Sequence, residues 1–467
     1  MRGVFKQQVL AFALLVSGPA QATNGYFLPG FGVKSLGAGG VGIALQADAL
    51  SLAANPANAA HTGFRGDLGL SLFNPIRKSS TGPATGLLST DDDGDGLNDQ
   101  NGLPTTGGLG FDGASKSGNP LYLLPDMAFT LPVSEKLSVG FAVVGAGLAT
   151  VYKQNVFSRG PIPPTENGGP DDSVGVELIQ LIVPVTAAYK LTEQHSVGAS
   201  LNLAAQRFKA NGLGQFVRFR TSIDNAHLTN QGYDYSYGAG VRLGWLSKFM
   251  QDRVSIGATW SSRTYMTKFD KYRGLFAEQG DFDIPENYGI GLTIKATEKL
   301  TAAFDVVKIK YSDINSVGNP GPGTYNGSGI SEATLTGVGG VFGAQTSPLE
   351  LGNNDGLGFG WRDMTVYKLG FIYDATDDLT FRAGYNYGKS PVRNDQLVFS
   401  ALAPGIVEKH FSVGLTYQMK GDLDWEISGA YMYVPNKTQE GCAQALVDCV
   451  SFSLSEHILG VGFGVKY

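Results

Sequence analysis

The chain ends in "GVGFGVKY", Gly460 to Tyr467, a run in which glycines alternate with larger residues. A β-strand throws successive side chains to opposite faces. Leu459, Val461, Phe463, Val465 and Tyr467 therefore share one face, while Gly460, Gly462, Gly464 and Lys466 share the other. The same period of two recurs along the chain, as in Leu137, Val139, Phe141, Val143; in Val197, Ala199, Leu201, Leu203; in Tyr288, Ile290, Leu292, Ile294; and in Phe411, Val413, Leu415, Tyr417. Short polar turns join these segments in pairs at 132–138, 190–196, 249–253, 295–300, 374–379 and 419–423. Tyrosines and tryptophans gather toward the ends of the apolar stripes, as an interfacial aromatic girdle requires.

Six tight turns make six hairpins, to which the pattern adds one strand before, at 66–73, and one after, at 456–467. The reading is an all-β fold, a 14-stranded antiparallel transmembrane β-barrel spanning 66–467. An even count with both termini on the short-turn side is what a closed outer-membrane barrel demands. Closure gives every backbone amide in hydrocarbon a partner. The remaining connections, 75–124, 148–175, 209–232, 268–286, 313–360, 390–408 and 435–455, are long, rich in Gly, Pro, Asn and Asp, and fall on the extracellular side. A soluble sandwich or propeller also uses many short strands, but it does not explain the regular alternation of short and long connections.

Composition narrows the function. With 16% charged residues and a formal charge of -6 there is no basic stripe for nucleic acid. Residues 1–22 read as a cleaved signal peptide: Arg2 and Lys6, an apolar core from Val9 to Val16, and the small-x-small site Ala20-Gln21-Ala22. After them no uninterrupted run of about 18 apolar residues appears, so helices do not hold the exported chain in a membrane. The only two cysteines, Cys442 and Cys449, form a near pair that in an oxidising compartment most simply closes a small disulfide loop; free thiols are the alternative.

Residues 23–65 lack the alternation. They are rich in Gly and Ala, with a short helix predicted near Asp48 to Ala54 that stops before Pro56. A segment too irregular for a strand and too large to dangle is expected to fill the lumen as a hatch, since a cylinder of this size has room that wall side chains leave empty. The stretch "GFGVKSLGAGGVGIALQADALSLAANPANAA", with its Gly-rich run, Ala-Asp-Ala and the triplet Asn55, Pro56, Ala57, resembles the hatch of the FadL/TodX-type outer-membrane transporters. The likeness extends over the whole architecture, down to the terminal aromatic.

The resemblance implies passive uptake of hydrophobic compounds through the outer membrane of a Gram-negative bacterium, long-chain fatty acids first and aromatic hydrocarbons second. Cargo would be caught by the extracellular loops, held above the hatch, and released sideways beside an inward-kinked third strand, here about 137–149, where Gly145 and Gly147 permit a kink; ordinary barrel curvature is the competing explanation. Tyr26 and Phe27 match the family's aromatic near the mature N-terminus. The implied partners are the cargo, outer-membrane lipid and lipopolysaccharide. No cofactor is required, and a monomer is expected.

Four cations fall on lumen-facing positions: Arg242, Arg263, Lys368 and Arg382. In an apolar pocket they would hold a fatty-acid carboxylate; alternatively they pair with Asp305, Asp424, Glu426 or hatch carboxylates. In the loop "DDDGDGLND", Asp91, Asp93, Asp95 and Asp99 with Gly96 follow much of a calcium-loop spacing, although the twelfth position is Gly102 rather than Glu. A solvated acidic turn is the other reading. An enzyme is not expected, because no GxSxG elbow occurs and the five histidines are scattered. A non-specific porin differs from a plugged carrier by its large open-channel current.

Overall fold

The computed structural model describes residues 24–81, 113–118, 121–153, 155, 173–218, 221–321, 349–419, 421, 423–443 and 447–467. The signal segment 1–22 and the acidic loop from Asp91 to Asp99 lie outside these described residues.

Fourteen strands of eight residues or more follow one another: β1 (Arg65–Thr81), β2 (Tyr122–Pro132), β3 (Leu137–Tyr152), β4 (Val174–Lys190), β5 (His195–Asn211), β6 (Asp234–Phe249), β7 (Val254–Ser261), β8 (Asn287–Lys295), β9 (Leu300–Ile309), β10 (Met364–Asp374), β11 (Leu379–Gly388), β12 (Lys409–Met419), β13 (Asp424–Ala443) and β14 (Val447–Lys466). Each pairs antiparallel with the next. The last returns to the first in an unbroken register from Arg65 opposite Lys466 to Thr81 opposite Val450, which closes the cylinder. A four-residue strand, Gly113–Lys116, adds to the far end of β1, and Tyr265–Met266 pairs with β6. The expected fourteen-stranded antiparallel barrel is thus the fold, and its six hairpin turns stand where the polar breaks place them.

The apolar stripes face outward. Leu68, Leu70, Val413, Leu415, Leu459 and Val461 are exposed, whereas their neighbours Asp67, Ser71, Ser412, Thr416 and Ile458 are buried. No helix among the described residues is long and apolar enough to cross a membrane; the strands do so.

Several strands run further on the extracellular side than the pattern foretells. β1 continues to Thr81 rather than ending at 73, and β13 and β14 form strand through most of the span 435–455 expected to be loop. The cause is an inversion of polarity at His457. Below it the outer face is apolar; above it the outer face reads Ser455, Ser453, Ser451, while Leu454, Phe452 and Val450 turn inward and are buried. Once the outer wall leaves lipid for water, the rule that identifies a lipid-facing strand no longer applies, although backbone pairing continues. Cys442 and Cys449 are directly opposed in the β13–β14 register at the tip of this extension.

Candidate functional site

β1 begins at Arg65, and residues 24–64 before it pack against the inward-facing side of the strands. Two short helices, α1 (Val33–Gly37) and α2 (Ser51–Ala54), and a 3-10 turn, Pro56–Ala60, punctuate this segment. Its fit depends on inward glycines. A Cβ on Gly462 would stand 3.2 Å from Val33 Cβ, one on Gly370 2.6 Å from the Ala38 carbonyl oxygen, and one on Gly257 2.6 Å from the Ile43 carbonyl oxygen. The glycine face of the terminal strand is therefore the surface on which the N-terminal segment rests.

Asn55 is the central fastener and is fully buried. Its Nδ2 donates to the carbonyls of Ile43 (2.9 Å) and, on β6, Trp245 (3.0 Å), while its Oδ1 accepts from Ala57 N–H (3.1 Å). Pro56 follows at the first position of the 3-10 turn, where its missing N–H costs nothing. Ala57 has no exposed surface. The wall supplies the other ties. Asp305 accepts from Gly42 N–H (2.7 Å) and Ile43 N–H (3.1 Å), Asp67 from Ala49 N–H (2.8 Å), and Lys34 pairs with Glu426.

Beyond this segment, toward the extracellular side, about 670 Å³ of empty space is lined by Phe208, Phe216, Phe276, Phe282, Phe359 and Phe399 together with leucines. Among its described lining residues Ser316 is the only one with a polar side chain, and none is charged. Tyr26 stands beside it, buried, with ring centroids 5.0 Å from Tyr311, 5.9 Å from Phe282 and 6.0 Å from Trp361. Its N–H donates to the Tyr311 hydroxyl at 3.2 Å. Gly25 makes the tight turn possible with φ +70°, in a spot where a side chain would strike Tyr311. Phe27 packs against Tyr26 and Tyr311. At the rim, burial and then the carboxylates Asp283 and Glu278 push Asp281 up to about 6.

A second space, about 610 Å³, lies past Phe27, bordered by Phe31, Val144, Ala146, Ile182, Pro184 and Arg242. A third, about 410 Å³, shares Leu28 and Val144 with it and reaches Leu124, Pro125, Asp126 and Gly145. These two meet a break in the wall. The β2–β3 ladder ends at Met127 opposite Val143, so Tyr122–Asp126 pair with β1 on one side and with no strand on the other among the described residues. From Val144 to Thr150 both faces of β3 are buried, so this half of the strand turns in from the surface. The β3–β4 register also skips between Phe141 and Val144, facing Pro184.

Gly147 sits in this inturned half with φ +132°, a conformation that favours glycine, whereas a Cβ on Gly145 would meet nothing nearer than the Gln180 carbonyl oxygen at 3.9 Å. Pro125 and Pro184 were the sequence signals for the break, since proline cannot donate to a ladder and marks a strand edge. They pass unnoticed when the chain is read for alternation alone.

The four inward cations do not converge on one site. Lys368 Nζ donates to the Gly40 carbonyl (3.1 Å), with Asp305 opposite it in register. Arg242 donates to the Ala53 carbonyl and lies 5.8 Å from the Phe31 ring. Arg382 donates to Thr416 Oγ1 (2.6 Å), and Arg263 donates to the Asp313 carbonyl with Asp283 Oδ2 at 3.8 Å. Lys368 and Arg242 hold the N-terminal segment to the wall, and of the four only Arg242 borders one of these spaces. Among the described residues a hydroxyl meets a histidine at Ser196 with His61 (3.0 Å), a fully buried serine that faces no lipid, and at the Tyr431 phenol with His457 (2.7 Å) on the outer face.

The family model described as outer membrane protein transport protein (OMPP1/FadL/TodX) matches residues 13–467. No curated protein sequence matches significantly. Among solved structures, the toluene transporter TodX of Pseudomonas putida superposes with a TM-score of 0.60 at 18% identity, covering 95% of this chain and 100% of that one. The toluene transporter TbuX of Ralstonia pickettii gives 0.57 at 18%, covering 93% and 98%. A FadL homologue of Pseudomonas aeruginosa gives 0.60 at 15%, covering 95% and 99%. At these identities the likeness speaks for the fold.

Proposed function

The chain belongs to the OMPP1/FadL/TodX family of outer-membrane transport proteins, barrels that carry hydrophobic compounds across that membrane, and from this premise we propose that its cargo is an uncharged hydrophobic molecule, an aromatic hydrocarbon before a fatty acid. The observation that carries the reading is the phenylalanine-lined space. Six rings surround it, and no charged side chain lines it among the described residues. A fatty acid would bring a carboxylate, whose desolvation without a partner is costly. The resemblance in sequence put fatty acids first, but the inward cations that could have met a carboxylate are engaged with backbone carbonyls and wall side chains. The toluene transporters among the similar structures lean the same way.

Cargo entering from outside leaves water in the aromatic chamber and recovers about 25 cal/mol per Å² of apolar surface. Residues 24–64 act as the hatch that denies it a straight path to the periplasm. It passes Tyr26 and Phe27 into the space beside Phe31, and leaves through the break between β2 and β3 into the bilayer. The path starts in water and ends in the bilayer, where apolar surface is better accommodated, so no fuel is required. Uptake by cells lacking other channels tests the reading: expression of this chain speeds entry of toluene and leaves entry of oleate at background. Faster oleate entry with unchanged toluene entry would refute it.

A further inference from the structure

We infer that the outer wall formed by the extracellular ends of β14 and β1 with the strand Gly113–Lys116 is a docking surface for the phosphate-bearing headgroup of the outer leaflet's glycolipid, gripped by Lys78 and Lys116. These two lysines are exposed and directly opposed in an antiparallel ladder, Lys78 facing Lys116 on one side and Ser453 on the other. Like charges placed opposite each other destabilise a ladder. Neither lysine has a carboxylate partner among the described residues to relieve the repulsion. An anion bound between them would.

Height and facing identify that anion. Lys78 has the parity of Leu68 and Leu70, which are exposed to lipid, and the β1–β14 register runs from one to the other without a shift. Ten residues at about 3.3 Å each, tilted by about 40°, rise about 25 Å along the membrane normal, the height of a barrel's apolar band. Lys78 therefore stands four residues, about 10 Å, above the level at which His457, opposite Asn74, marks the change from apolar to hydroxyl side chains, the height of the headgroup layer rather than of the acyl chains. The surrounding outer face, Ser80, Ser451, Ser453 and Thr438, borders the same surface hollow as the two lysines and offers hydroxyls to phosphate and sugar oxygens. The patch faces away from the lumen, so transported cargo does not meet it. The negatively charged groups at this height and on this side of the wall are the phosphates of the glycolipid.

The test uses the full-length protein purified in mild detergent, K78Q/K116Q as the perturbation and K78R/K116R as the control that keeps charge. Heat-modifiable migration on gels establishes that each variant is a folded barrel. Lipid A carrying both phosphates is expected to raise the Tm of the wild type and of K78R/K116R, and to bind K78Q/K116Q roughly thirtyfold more weakly, at the usual contribution of a basic side chain near a charged lipid surface. Dephosphorylated lipid A is expected to leave Tm unchanged. Equal binding by K78Q/K116Q, or an equal effect of dephosphorylated lipid A, overturns the inference. So does a full effect of inorganic phosphate alone, which would make this a site for free anions.

Discussion

Replacing Asn55 with alanine isolates the fastener between the N-terminal segment and the wall. The substitution removes three hydrogen bonds, to Ile43, Trp245 and Ala57, from a side chain with no exposed surface. At about 1 kcal/mol net for each, the local cost is about 3 kcal/mol. Ala57 N–H and the Trp245 carbonyl are left seeking partners. The barrel keeps its ladders, so the penalty falls on docking of the hatch and raises its open population roughly a hundredfold. Hydrogen exchange should therefore accelerate by about that factor across residues 41–60 while the amides of β9 to β12 stay protected. Planar-bilayer recordings should show brief openings absent from the wild type, and toluene uptake should become less selective. Unchanged exchange in 41–60, or equal acceleration in the strands, would refute the view that Asn55 ties a separately mobile segment to the wall.

Other outcomes follow from the same geometry. Gly147→Ala forces φ +132° on an alanine and should cost about 1–3 kcal/mol and slow uptake, whereas Gly145→Ala has room and should behave as wild type; equal loss in both would remove the conformational argument. Phe282→Ala deletes a ring 4.9 Å from Phe276 and 5.9 Å from Tyr26, and should weaken binding of a monoaromatic probe by about 1 kcal/mol in calorimetry, with unchanged affinity moving the site elsewhere. Asp281 is raised from 3.8 to about 6, so the folded state holds its proton more tightly and the stabilisation is complete below about 3.8 and lost as pH rises through 6. Exchange in the rim 277–284, corrected for intrinsic rates, should be faster at pH 7.5 than at about pH 5, and Asp281→Asn should shrink the difference, leaving the part due to Asp283, which burial also raises. Cys442 and Cys449, opposed at a hairpin tip, should resist alkylation until reduced; two thiols titrating in unreduced protein would exclude the bond.

Alternation made the lipid-facing halves of the strands legible, because each outer residue there must be apolar. It failed where another demand replaced lipid contact. Above His457 the apolar residues turn inward, as Phe452 does, and hydroxyls such as Ser453 stand outside, so the span 435–455 reads as a connection although it forms strand. In β3, Val144 to Thr150 are buried on both faces and resemble neither kind of half-buried strand. The aromatic chamber was hidden for a different reason. Phe208 stands near the end of β5, while Phe276, Phe359 and Phe399 come from three separate connections, and nothing local in any one of them announces a shared cavity. The cations were left with two readings because inward parity fixes which side of the wall a residue faces but not whether cargo, a carboxylate or the backbone of residues 24–64 meets it.

The seam between β1 and β14 joins Arg65 to Lys466, positions about 400 residues apart. It closes the largest loop of any pairing in the cylinder and so bears the greatest entropic cost, which sets it last in the order of assembly. Residues 24–64 precede that seam in the chain yet press on wall glycines as distant as Gly257, Gly370 and Gly462. Because the seam joins the two ends of the chain, a sheet that closes there last encloses its own leading end, so the order of pairing favours a cylinder that is filled as it is sealed.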